Sequence, residues 1–323
     1  MTGRLLKISR IVVSLFIFVA LTLLLVCSAA KGYGVAGILG RWQFIPAALA
    51  FNMGVFCFWL LLTLMFGRIY CSSICPLGTL QDIIARIAMW LRPSHKRLYR
   101  YAAPLNALRY LVLTASVVVL MGGIPAAIAV IDPYSAYAGM IDNLVAPVAG
   151  WCARLVGTND AGWCVIAAKA GVTGILLSAM MLAVVVIFAA VTGRRFCNTL
   201  CPVGATLSLI SRHSVFHIDI DTDKCIQCHR CEHACKAHCI DLRDHVVDSS
   251  RCINCFDCLP VCPNDAISYT SRRKQLSVPM MQRLSMERRR PSVALGGADK
   301  YTVTHEASRK APIGTNGKKR HYR

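Results

Sequence analysis

A helical membrane region followed by a small α+β module is the fold this sequence predicts, and three observations carry it. First, four stretches without a charge, 11–30, 42–67, 110–131 and 170–193, are each long enough to cross a bilayer. Second, the residues that follow the second stretch return after the fourth. Gly67-Arg68-Ile69-Tyr70-Cys71-Ser72-Ser73-Ile74-Cys75-Pro76 matches Gly193-Arg194-Arg195-Phe196-Cys197-Asn198-Thr199-Leu200-Cys201-Pro202, 126 residues further on. Third, two near-copies of a longer cysteine run stand back to back, 27 residues apart.

Composition agrees with the first point. The 323 residues are 55% hydrophobic, with a mean hydropathy of +0.51, too apolar for an ordinary soluble domain. Gly and Pro inside the stretches, such as Pro46, Gly122, Gly123, Pro125 and Gly174, are tolerated in membrane helices. The first stretch follows Arg4, Lys7 and Arg10, but its apolar part is too long for a signal peptide and further spans follow. Cys27 does not fit a lipoprotein site, because Val26 is too large before it.

The repeat divides the membrane region into two halves that run the same way: two spans, a Gly-Arg exit, a C-x3-C-P motif and an amphipathic segment. Proline suits the first turn of a helix, and the residue before it avoids helical angles. Cys75 and Cys201 are therefore expected in turns, with short interfacial helices after them over 80–90 and 205–212. A pseudo-twofold axis along the membrane normal would bring Cys71, Cys75, Cys197 and Cys201 together. Four thiolates so placed suit iron, zinc or a small iron–sulfur cluster. The alternative is two separate redox-active or packing pairs. Cys57, Cys152 and Cys164 have no partner spacing and read as packing residues. Asp132 and Lys169 flank spans, where a quinone headgroup would sit, and read equally as interface residues; Asp132-Pro133-Tyr134 also suits a turn.

The longer runs carry the most specific chemistry. The first reads Cys225-x-x-Cys228-x-x-Cys231-x-x-x-Cys235, the second Cys252-x-x-Cys255-x-x-Cys258-x-x-x-Cys262-Pro263. This is the ligand pattern of bacterial 4Fe-4S ferredoxins, in which the fourth cysteine of each run ligates the other run's cluster. It predicts two 4Fe-4S clusters, one on Cys225, Cys228, Cys231 and Cys262, the other on Cys252, Cys255, Cys258 and Cys235. Two departures stand out: Lys236 occupies the place of Pro263, and Cys239 that of Ala266. Cys239 is expected to fill a small apolar slot beside a cluster.

The predicted organisation is thus a four-helix transmembrane domain over 1–213, a double 4Fe-4S ferredoxin module over 214–271 and a basic tail over 272–323. The tail is rich in Gly, Ser, Pro and bases without apolar periodicity, and is expected to be disordered. The formal net charge is +20, yet the module is locally acidic, with nine acids and five bases from His217 to Thr270. Bases gather before the first span, between the second and third, and after the fourth. The positive-inside rule then puts both termini and every cysteine motif in the cytoplasm of a prokaryote's inner membrane, where thiols stay reduced. The basic tail reads first as a plain solvated segment, and as a partner it suits anionic membrane lipid before nucleic acid.

Taken together, the four stretches, the C-x3-C-P pairs and the terminal cysteine runs resemble the NapH family over roughly residues 1–270. These are membrane quinol dehydrogenase components of periplasmic nitrate reductase systems, within a wider group of polyferredoxin-like membrane proteins. The resemblance implies 4Fe-4S clusters on Cys225 to Cys262 and redox or metal chemistry at Cys71, Cys75, Cys197 and Cys201. It also implies exchange with the quinone pool and a redox partner protein, ferredoxin-like or a reductase subunit. The alternative function is an electron donor for maturation of a metalloenzyme. No nucleotide-binding glycine loop is present, so a self-contained flavin or nicotinamide dehydrogenase is not expected.

Overall fold

The computed structural model describes residues 2–31, 43, 53–92, 99–122, 132–155 and 171–271. Helices α1 (Thr2–Lys31) and α7 (Val172–Thr192) are long and apolar enough to cross a membrane. Helices α2 (Met53–Phe66) and α4 (Asn106–Met121) are apolar but shorter. Of the four expected membrane-long helices, the described residues therefore contain two. Helix α2 stops at Gly67, where its uncharged stretch ends, and α4 stops at Gly122, where Gly123 and Pro125 follow. The rest of those two stretches lies outside the described residues, as do Cys164, Lys169 and the tail over 272–323.

The repeated exits fold alike. After α2, Tyr70–Ile74 makes one wide π-helical turn, and α3 (Pro76–Leu91) begins on its proline. After α7, the matching residues form α8 (Arg195–Thr199), and α9 (Pro202–Ser211) again begins on proline. Cys75 and Cys201 have extended backbone just before these helices, as expected of residues that precede proline. Helix α3 starts earlier than its amphipathic pattern suggested, because the buried first turn, Pro76 to Thr79, belongs to it. Within the second half, between α4 and α7, lie α5 (Pro133–Met140), a wide turn over Ile141–Val145, and α6 (Ala146–Leu155). Asp132 caps α5, accepting from the Ser135 amide at 2.8 Å, so it serves the turn its sequence suggested.

The halves exchange partners. Helix α3 of the first half packs on α7 of the second, and α9 of the second packs on α2 of the first. Helix α1 covers the turn at Tyr70 and α3, while α4 covers α8 and α9. The cysteine module follows directly on α9. Strand β1 (His217–Ile220) pairs antiparallel with β4 (Ile267–Thr270), with Ile218 opposite Tyr269. A second ribbon joins β2 (Ile240–Asp241) to β3 (Val246–Val247), and α10 (Arg230–Ala234) makes one short turn. Backbone amides of Val215 and Phe216 donate to Leu64 and Met65 at 2.8 Å, fastening the module's start to α2. One buried core runs from Trp59 and Val185 through the C-x3-C-P cysteines to Ile218 and Ile253 of the module.

Candidate functional site

The four C-x3-C-P cysteines are buried in that shared core. Burial pushes the Cys75 thiol well up, and the Cys197 and Cys71 sulfurs push it further; Cys201 is raised by burial and by Cys197, Cys75 and Cys71. The two halves thus contribute their cysteine pairs to one buried core.

Crossed arginines hold this group. Arg194, at the exit of the second half, donates to the Cys71 carbonyl of the first at 2.7 Å. Arg68, at the exit of the first, reaches the Cys197 carbonyl of the second at 3.5 Å and the Cys71 sulfur at 3.8 Å. Each guanidinium passes over a helical glycine. A Cβ on Gly78 would stand 2.6 Å from Arg194 Nη1, and one on Gly204 2.8 Å from Arg68 Nη2, so side chains are excluded at both places.

A second equivalence was hidden in the sequence. Arg10 of α1 donates to the Ser72 carbonyl at 3.2 Å and to Asp82 at 3.0 Å. Arg109 of α4 donates to the Asn198 carbonyl at 3.0 Å and to Ser208 Oγ at 3.4 Å. Ser72 and Asn198, like Asp82 and Ser208, are 126 residues apart, so α1 and α4 occupy corresponding places in the two halves.

The charges differ, however. Arg194 is paired with Asp82 at 2.8 Å. Arg68 and Arg109 are 0% and 1% exposed, and neither has a carboxylate in ion-pair contact among the described residues. Arg68 instead binds Asn198 Oδ1 at 2.7 Å and the Ser250 carbonyl at 3.1 Å, and its Nε has no partner. Buried cations need an anion close by. Thiolates at Cys71, Cys75, Cys197 and Cys201 would supply that charge. Among the described residues, no three His, Cys, Asp or Glu side chains gather as tightly as one metal ion requires.

The longer runs enclose two cavities in the module. One is lined by Cys225, Cys228, Cys231 and Cys262, the other by Cys235, Cys252, Cys255 and Cys258. Each cavity thus has three cysteines of one run and the last of the other. The backbone repeats with them. Gln227, His229 and His238 have φ of 52, 59 and 54°, and Asn254, Phe256 and Asp265, 27 residues on, have 50, 59 and 48°. A left-handed conformation costs a non-glycine residue roughly 1–2 kcal/mol and persists where the surroundings impose it. Three such positions repeated around both cavities are the strain expected of loops wrapped on a bound group. The donor sets and cavities fit two 4Fe-4S clusters.

The runs differ in their settings. Cys228 is exposed and Cys225 partly so, whereas Cys235, Cys252, Cys255 and Cys258 are buried. The second run faces the helices: Asn254 donates to the Phe66 carbonyl, and Asp257 pairs with Lys7 of α1 at 3.0 Å. Lys236, where proline was expected, is 8% exposed and bridges Asp257 at 2.9 Å to Asp82 at 3.4 Å. Burial works against the charge of Asp82, yet Arg194 foremost, then Lys236 and Arg10, hold its carboxyl far below the usual range. Cys239 is buried as expected and has more company than a packing slot. Its sulfur lies 3.5 Å from Cys235, lines the second cavity, and helps to lower the Cys235 thiol to about 7.

Several of these residues escaped the sequence. Asp82, Arg10 and Arg109 sit outside every cysteine motif, and Asp257 stands at a variable position between Cys255 and Cys258. A charge within an otherwise apolar amphipathic helix, as at Asp82, was the one available sign. Cys57 is exposed, not packed in a core, because α2 turns it outward among the described residues.

Comparisons with known proteins extend this geometry. Residues 49–97 and 173–220 both match a family described as a 4Fe-4S binding domain. The matched stretches hold the two C-x3-C-P motifs and end before Cys225, so the description falls on the repeated halves. An uncharacterized protein of Methanocaldococcus jannaschii is 34% identical over 100 residues, 31% of this chain and 40% of that protein. YccM of Escherichia coli K12, a protein assigned to electron transport, is 25% identical over 196 residues, 59% of this chain and 47% of its own. The chain spans less than half the length of both relatives. No solved structure matches. These descriptions reach 4Fe-4S binding and, for one relative, electron transport, and do not extend to the NapH family in particular. The chain is similar to membrane-type iron–sulfur proteins over its repeated halves.

Proposed function

We propose that this chain carries electrons between the membrane quinone pool and a redox partner protein, as a NapH-like membrane component. The observation that carries it is the graded setting of three cysteine groups. Cys71, Cys75, Cys197 and Cys201 lie among the helices; Cys235, Cys252, Cys255 and Cys258 are buried against them; Cys225, Cys228, Cys231 and Cys262 reach the surface at Cys228. The last two groups hold one 4Fe-4S cluster each in this reading, and the first group holds a third centre. When bound, such clusters supply one-electron redox sites, which suits a two-electron quinol donor. The chain's residues fix their order: Lys236, Asp257 and Asn254 seat the second run on the helices and leave the first run facing outward. Four apolar segments cross the inner membrane, with both termini and the module on the cytoplasmic side, where bases concentrate.

Purified anaerobically, the protein should contain about twelve iron atoms per chain, from three four-iron clusters. Cys71→Ser and Cys197→Ser should each remove the same third of them; about eight atoms in the wild type would remove the third centre. Duroquinol should bleach the visible absorption of the oxidised protein, or duroquinone restore it after dithionite. If neither occurs, the quinone link fails, and reduction of copper or iron ions without quinone would favour a role in metalloenzyme maturation.

A further inference from the structure

A pocket opens between α1 and α3, one helical turn beyond the C-x3-C-P motif of the first half. Its polar floor is formed by Arg10, Ser14, Thr79 and Asp82, and its walls include Leu15 and Ile87. Both wall residues are exposed at the surface of helices that are otherwise apolar there. Arg10 lies within the first membrane-long helix, and Trp90 and Leu91 extend the exposed apolar face of α3, as befits a helix at a membrane interface. The mouth is therefore open to lipid, with Arg86 exposed beside it.

One donor atom of the lining residue Arg10 is without a partner. Arg10 is 6% exposed and spends Nη1 on Ser72 and Asp82, yet its Nε, also buried, has none. In the other half the corresponding Arg109 Nε is used, donating to Asn198 at 3.0 Å. A buried donor left open in an amphipathic pocket is complementary to a ligand with an acceptor oxygen on an apolar body. Asp82 is already engaged by Arg10, Arg194 and Lys236, so the floor offers a ligand donors and no free carboxylate, which suits a carbonyl oxygen. Thr79 donates to the Cys75 carbonyl at 3.3 Å, so a ring on this floor would stand next to the cysteine group.

We infer that the pocket between α1 and α3 binds the headgroup of a lipid-soluble quinone, with a ring carbonyl on Arg10 Nε and the isoprenoid tail passing Leu15 and Ile87 into the bilayer. This rests on the electron-transfer reading and gives it an entry point. Oxidation of one quinol to quinone releases two electrons, taken singly by two of the chain's iron–sulfur centres, and two protons, which leave to water at the mouth beside Arg86.

Steady reduction of the holoprotein by menadiol tests this, with Arg10→Lys, Ser14→Phe and, as a control on the exposed face of α4, Leu111→Phe. Arg10→Lys keeps the pair with Asp82 and removes the second donor. It should raise the half-saturating menadiol concentration about tenfold, the loss expected for one hydrogen bond to a charged group. Ser14→Phe should fill the pocket and raise it at least as far. Leu111→Phe should leave it unchanged, and dithionite should reduce all four proteins alike. If menadiol reduces wild type and both pocket variants equally, the pocket is overturned while the electron-transfer reading stands. If menadiol reduces none of them, including wild type, both fall. A photoreactive azidoquinone provides a check that needs no variant. It should label peptides spanning Arg10–Leu15 or Thr79–Ile87, and menadione should block this. Labelling elsewhere would overturn the site, as would protection by phosphatidylglycerol but not by menadione, which would mark a seat for anionic lipid.

Discussion

The two cysteine runs are near-copies in sequence and opposites in setting. Around the first, Cys228 and Ile226 reach solvent; around the second, every cavity cysteine is buried and its loop is fastened to α1 and α2. The positions where the copies disagree are the ones that separate their surroundings. Lys236 against Pro263 supplies the cation that joins Asp257 to Asp82, and Cys239 against Ala266 puts a fifth sulfur beside the inner cavity. A duplicated module acquires direction through a few such differences, with its wrapping turns unchanged.

The comparison breaks most severely if ligation is not interleaved. Cys262→Ser should abolish the outer cluster and spare the inner one, and Cys235→Ser should do the reverse. Iron content and low-temperature electron paramagnetic resonance distinguish them, and a variant that loses the cluster of its own run would end the assignment. Next in size is Lys236→Met. It removes a cation shared by two buried carboxylates, for which a cost of about 3–5 kcal/mol is expected. The fall should appear as a lower thermal midpoint in detergent, whereas Pro263→Lys, on the outer side, should change it little. Burial opposes the charge on Asp82 and Asp257, but their cations depress both carboxyls, so the stability they contribute is fully present above roughly pH 4 and declines only as pH falls further. A midpoint that instead rises on acidification from pH 6 to 4 would contradict the junction.

Subtler effects sharpen the contrast. Ferricyanide should bleach the outer cluster several-fold faster than the inner one, followed by the separate resonance signals. Equal rates would mean that the exposure of Cys228 has no consequence for access. Smallest of all, Cys239→Ala should lower the reduction potential of the inner cluster by removing a weak donor to Cys235, because hydrogen bonds to cluster sulfurs raise potential. Ala266→Cys should shift the outer cluster the other way.

The cysteine spacing made both cavities legible, including their exchange of fourth cysteines, since ligand runs are local. Pro76 and Pro202 marked the starts of α3 and α9 for the same reason. What depended on distance was not legible. Arg10 and Arg109 occupy matching places but are 99 residues apart, not 126, because the segments between the spans differ in length. Lys236 looked like a defect in a motif, and its partner Asp82 stands 154 residues away. Of the four uncharged stretches, two are membrane-long helices among the described residues; the start of the second stretch and the end of the third lie outside them.

The crossed arginines also govern the order in which the chain can be completed. When α1 and α3 have left the ribosome, Asp82 has Arg10 but must wait 112 residues for Arg194, and the Cys71 carbonyl waits with it. The pocket of four cysteines does not exist until both exits have been made. The four cysteines cannot come together until Cys201 has emerged, so any group they hold would be loaded only after the second exit is made, and a ribosome that stalls within α7 would leave the first half with one isolated pair.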